Sequence, residues 1–286
     1  MTRSIPFSLA AAAAMVLAAA ACNSDSTSPS PDSVSAQQEA SDIGVAAADA
    51  TGDDVDFLYV SVPSAIGSAE VATPPGGAAA AGIASWSLGG PCPYDAGTGR
   101  HVCPTVTNGQ GLSLDRSYAF FMGTTPQEFF NASSTTSINF LRHVFGTVTM
   151  MNWNATVDRS RDLTVTPGSN GAWNFQRLWN GTGQGTETAQ NTDGSVSRTY
   201  SLQTATTITD VLVGVPRAQN PWPLSGTITH DFTGTRTRVG AKTVTKTVSY
   251  VATITFNGQS IVPLDVGTRQ FCLDLLTRRL VNVNCR

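Results

Sequence analysis

Charge is scarce in this chain of 286 residues, where Asp, Glu, Lys and Arg make up 13%, about half the usual share for a soluble domain. Lysine occurs only at Lys242 and Lys246, glutamate only at Glu39, Glu70, Glu128 and Glu187, and histidine only at His101, His143 and His230. That shortage argues against coiled coils and long surface helices, which draw on Glu, Lys and Arg. A formal net charge of −3 gives no electrostatic footprint for nucleic acid. There is no Gly-x-Ser-x-Gly elbow and no His-Glu-x-x-His run, so two common hydrolase signatures are missing. Thr, Ser, Gly and Ala fill the space that charge leaves.

The N-terminus carries the most specific pattern. Arg3 supplies a short positive region, Leu9 to Leu17 an apolar core, and Ala18 to Ala21 a run of small residues closed by Cys22. The core is shorter than the roughly 20 apolar residues of a membrane-crossing helix and fits a cleaved export signal. Leu17-Ala-Ala-Ala-Ala-Cys22 resembles the lipobox of bacterial lipoproteins, with Ala19 where that family usually carries Leu. The resemblance implies a signal peptide over residues 1–21 and a diacylglycerol on the Cys22 thiol. Asn23 in place of Asp is similar to the outer-membrane members. An ordinary signal peptide cut near Ala21 is the alternative. Residues 23–41 are rich in Ser, Pro and Asp, with nothing to bury, and read as a disordered tether. About twenty such residues span roughly 25 Å.

Charge is unevenly placed. Residues 23–70 hold nine acids and no base, whereas the remainder of the chain is mildly basic. A solvated acidic tether over residues 22–55 accounts for this, and an acidic arm lying on a basic face is the alternative. A short helix within 41–56 is a further option, and Phe57 to Val62 reads as a strand.

From residue 112 onward apolar and polar residues alternate. Ile138, Phe140, Val144 and Val148 share one parity, as do Tyr200, Leu202 and Ile208, and Val248, Ala252, Ile254 and Phe256, with Thr between them. Period two with Thr on the wet face is the mark of half-buried antiparallel strands. Asn257-Gly258 and Asp193-Gly194 punctuate them as turns. The sequence thus predicts an all-β domain over residues 56–286. Eight to eleven strands, mostly paired with their neighbours, form an antiparallel meander, strongly curved, barrel-like or a sandwich. A lipid-facing barrel fits poorly, since Arg142, His230 and Lys246 interrupt the apolar faces and each Arg or Lys would cost about 2–4 kcal/mol at the bilayer centre. Those charges are expected at strand ends or rims.

Four cysteines remain, and an even number in an exported chain reads as disulfides. Cys92 and Cys103 enclose Asp95, Thr98 and Arg100; Cys272 and Cys285 enclose Asp274, Thr277 and Arg279. The repeated pattern predicts one stapled hairpin used twice, Cys92–Cys103 and Cys272–Cys285, although two other pairings exist. Zinc is disfavoured because its cysteine pairs usually lie two to four residues apart.

Little else carries chemistry. The three histidines lack a ligand spacing and read as surface or rim residues. Asp158-Arg-Ser160-Arg-Asp162 resembles the start of a calcium loop without its Gly and Glu, and Gly52-Asp53-Asp54-Val55-Asp56 is a similar fragment. Gly181-Thr-Gly183-Gln-Gly185 lacks the strand-to-helix context of a dinucleotide loop and marks a place where a bulky neighbour lies over the backbone. Trp173, Phe175 and Trp179, taken as one strand face, are core or an aromatic ligand face for sugar or an apolar molecule. The reading is therefore a lipid-anchored, exported envelope protein of the outer membrane, without catalytic residues, cofactor, metal or nucleic-acid partner. It binds or scaffolds an envelope protein, glycan or lipid. The alternatives are a carrier enclosing an apolar ligand and, behind it, an envelope hydrolase.

Overall fold

A computed structural model describes residues 35–66, 91–109, 111–150, 153–169, 171–193, 196–240, 242–283 and 285. One helix, α1 (Ala36–Ala65), precedes thirteen strands: β1 (Tyr94–Asp95), β2 (Arg100–Thr107), β3 (Leu112–Met122), β4 (Thr125–Gln127), β5 (Ser137–Met150), β6 (Trp153–Pro167), β7 (Gln176–Asp193), β8 (Val196–Gly214), β9 (Ser225–Val239), β10 (Val244–Thr255), β11 (Ile261–Val266), β12 (Arg269–Asp274) and β13 (Arg279–Val281). All pairings are antiparallel and follow chain order, with β4 a spur on β3. The sheet is not closed: β1 and β13 are its ends. The predicted meander is present, with more strands than expected, because β1, β4 and β13 are only two or three residues long and read as turns.

Alternation decides the faces. Ile138, Phe140, Val144, Trp179, Tyr200, Ile228, Phe232, Ala252 and Ile254 are all buried on one side. The opposite side is exposed, Thr-rich and wet, as on β6, which alternates buried and exposed along nearly its whole length.

The acidic segment is the main correction. Residues 36–55 are not a tether and Phe57 to Val62 is not a strand; both lie in α1, inside the curve of the sheet. The compact body accordingly starts near residue 34 rather than 56. Ser35 caps the helix by accepting from the Gln38 amide at 3.1 Å, the Ser-x-x-Gln pattern of a capping box. Seven alanines favour the helical backbone. Phe57 meets Phe140 edge-on at 5.7 Å between ring centroids. Gly52 lets the helix lie against the Arg278 side chain, which a Cβ there would strike. Twenty of the thirty helical residues are buried, so no single apolar stripe marks the helix as it would on a surface.

Both disulfides form as expected, Cys92–Cys103 and Cys272–Cys285. Each staples a hairpin, and the two turns share one construction. Asp95 accepts from the Gly97 amide at 2.9 Å and from the Thr98 hydroxyl at 2.8 Å. Asp274 accepts from the Leu276 amide and the Thr277 hydroxyl, both at 2.9 Å. The next residue is left-handed in each, Gly99 at φ 67° and Arg278 at φ 54°.

Candidate functional site

Two sets of polar side chains stand out, one on each face of the sheet. The inner set is made by α1 and inward-pointing arginines. Asp42 is held by Arg198 at 2.6 Å and by the Tyr200 hydroxyl at 2.7 Å. Asp49 pairs with Arg159 at 2.9 Å, Asp53 with Arg278 at 2.8 Å, and Asp54 with Arg142 at 2.6 Å and Arg161 at 3.3 Å. Asp56 binds Arg278 at 2.8 Å and Arg217 at 3.0 Å, and Glu39 binds Arg236 at 3.1 Å. Glu187 on β7 joins the network through Arg159 at 2.8 Å. Burial alone would push the Asp54 carboxyl up, but Arg161 and Arg142 beside it hold it below the usual carboxylate range. Every one of these groups is paired, as buried charges must be.

His230 sits at the centre of this network, fully buried, with its ring nitrogens 3.0 Å from the hydroxyls of Thr51 and Thr206. Burial holds its pKa down to about 3, with nearby Arg161 and Arg159 working the same way and Asp54 against them. The imidazole is therefore neutral. Neither Arg142 nor His230 lies at a rim, and Gly52-Asp53-Asp54-Val55-Asp56 is a partner for arginine, not a loop. The glycines of β7 serve the same network: a Cβ on Gly183 would strike the Arg161 side chain and the Ser160 carbonyl. The bulky neighbours over Gly183 and Gly185 are arginines, whereas Leu163 covers Gly181.

The outer set lies back-to-back with the inner one. Period two sends Asp158, Ser160 and Asp162 outward and Arg159 and Arg161 inward, so the arginines neutralise the helix and not their sequence neighbours. Outside, His143 Nε2 lies 2.9 Å from Asp158 Oδ1 and Nδ1 3.8 Å from Asp115 Oδ2. Thr105 donates to Asp115 at 2.5 Å. Asn139 donates to Asp162 at 2.6 Å and accepts from Arg100 at 2.8 Å. Arg100, Thr105, Asp115, His143 and Asp162 border an open groove of about 970 Å³ whose exposed apolar members are Val102 and Leu141, 45% and 40% exposed. A second groove of about 550 Å³ continues it beyond Ser160 and Gln184 toward Asp231. Among the described residues, no group of three or more His, Cys, Asp or Glu side chains is arranged to hold a metal ion.

The aromatic trio does not form a face. Trp179 is fully buried against Phe140, and Trp173 is buried and donates its indole N–H to the Thr135 carbonyl at 3.0 Å. Phe175 is 53% exposed in the turn before β7. His101 is half-buried in the first stapled hairpin, stacked on Tyr118 at 4.8 Å between ring centroids. Cys22 and the export signal lie outside the described residues. The acidic arm does lie on a basic face, the alternative that the uneven charge offered, but the individual pairs went unread, although inward parity at Arg142, Arg161 and Arg198 signalled them.

Comparison with protein-family models, with curated proteins and with solved structures finds no match.

Proposed function

We propose that this chain is an exported lipoprotein of the bacterial envelope, anchored through Cys22 in the outer membrane, whose β-domain binds or scaffolds another envelope component without catalysing a reaction. One observation carries the choice among binding modes. The concavity of the sheet is filled by α1, with Phe57 and Leu58 fully buried and the carboxylates bonded to arginine. That leaves the outer grooves as the working surface and weighs against an enclosed apolar cargo. Two disulfides accord with an oxidising, exported setting.

Fractionation of cells expressing the wild type and Cys22→Ser tests the anchor: the wild type sediments with membranes and the variant does not. A variant that still resists carbonate extraction overturns the anchor. Organic extraction of the purified Cys22→Ser protein, read by mass spectrometry, tests the mode. No stoichiometric lipid is expected, and one lipid per chain would restore the carrier reading.

A hydrolase reading draws on the placement of His143 between Asp115 and Asp158, with Ser160 opposite it in register. Both ring nitrogens face carboxylates, so neither is turned to activate the serine as a triad requires.

A further inference from the structure

The outer grooves follow one cross-strand row. Asp115 on β3 faces His143 on β5, His143 faces Ser160 on β6, and Ser160 faces Gln184 on β7. Gln184 faces Ala205 on β8, and Ala205 faces Asp231 on β9. Six strands at about 4.8 Å spacing carry this row over roughly 24 Å. The two grooves meet at Ser160 and Gln184, which border both.

The chemistry along the row is that of hydroxyl recognition. The carboxylates nearest its β3 end are already compensated: Asp115 by Thr105, Asp158 by His143, Asp162 by Asn139. Each keeps free lone pairs for further donors, since an ionised carboxyl accepts at about four sites. Ser160, Gln184 and Gln203 add groups that both donate and accept. Leu141 and Val102 give a small apolar floor. Of the arginines bordering the first groove, Arg116, Arg142 and Arg161 are buried, and the more exposed Arg100 has its guanidinium bonded to Ser117 at 2.9 Å and to Asn139, so an anion finds little free cation. A polycation would meet the same carboxylates, but its binding, unlike that of a neutral ligand, is lost at high salt. A neutral sugar chain presents hydroxyls on its edges and C–H groups on its ring faces, and matches all three features. Water-mediated contacts add to such wet interfaces at little cost.

We infer that the Asp115–Asp231 row is a binding trough for a neutral, hydroxyl-rich polysaccharide strand. The inference rests on the outer-face reading above and names its ligand class.

Amide NMR spectra of the purified protein, titrated separately with maltohexaose, cellohexaose, chitohexaose and spermine, test it. At least one neutral hexasaccharide should shift the amides of Leu141, Ser160, Gln184 and Asp231 saturably. The shifts should persist at about 1 M salt, where screening acts within about 3 Å. Gln184→Ala with Leu141→Thr should weaken that binding at least tenfold while leaving the melting temperature unchanged. No shift with any of the three sugars overturns the inference, as do shifts confined to other surfaces. Spermine alone shifting the row, reversed by salt, overturns it in favour of a polycation groove. None of these failures touches the Cys22 fractionation result or the lipid extraction, so the two readings fall separately.

Discussion

The two faces of strand β6 use adjacent residues for opposite ends. Arg159 and Arg161 point inward and are buried at 4% and 3% exposure, whereas Asp158 and Asp162 point outward into water. Among the described residues ten arginines are buried, and seven of them pair with carboxylates of α1. The outer face is mostly threonine, serine and amide, with a few compensated acids. A charge-poor sequence has thus placed most of its cations where they cost most to desolvate. They are tolerable there only because the helix supplies partners. The inner face fixes which segment fills the sheet; the outer face is free to vary without unfolding it. Buried ion pairs of this kind add little net stability, because desolvation offsets their attraction, but removing one partner strands the other.

The contrast breaks first at Asp54. Asp54→Ala leaves Arg142 and Arg161 unpaired in the core, and urea unfolding should show a loss of about 3–5 kcal/mol. An unchanged midpoint would mean the helix carboxylates are solvated. Hydrophobic packing on the same inner face comes next. Ile254→Ala should cost about 2–5 kcal/mol. Its neighbour Thr253, outward and bonded to Thr229 at 3.3 Å, should cost well under about 1.5 kcal/mol as Ala. Equal losses at the two positions would show a sheet buried on both sides.

His230 carries a further contrast, which appears as a pH dependence. Its folded pKa, about 3, lies below an unfolded value of about 6.5. Both states are neutral above about pH 6.5; below it the unfolded chain takes up a proton that the folded one refuses. Stability is therefore lost as pH falls toward the folded pKa, by about 1.4 kcal/mol per unit. His230→Gln removes this component, so the stability difference between wild type and variant should shrink from pH 6 to pH 4. A constant difference across that range would place a proton on the buried ring.

Much of this architecture is legible in the sequence, and the illegible part has one cause. Strand parity predicts the inward side of Ile138, Phe140, Tyr200 and Ile254 because period two with one wet face leaves no choice. The paired Asp/Thr/Arg hairpins predict both disulfides because the turn chemistry recurs residue for residue. A short helix within 41–56 is legible as an option, but its full extent over Ala36–Ala65 is obscure because twenty of its thirty residues are buried. Its acids read as solvated, and its apolar residues, such as Ile43, Val55, Phe57 and Leu58, fall on no single stripe. The outer trough is obscured by the same alternation in reverse. Asp158, Ser160 and Asp162 resemble the start of a calcium loop, yet they lie on the outer face of β6 with Arg159 and Arg161 on the opposite one. The aromatic trio misleads because the regular pleat of β7 starts only at Gln176, after Trp173 and Phe175.

Hydrogen–deuterium exchange of the native protein, resolved by peptide mass spectrometry, tests most directly whether the acidic segment is core. Amides of residues 43–58 should exchange as slowly as those of β6, β7 and β8, opening only with global unfolding. Complete exchange of that segment within seconds, with the strands still protected, would show a free acidic tether and leave Arg142, Arg161, Arg217 and Arg278 without their carboxylate partners.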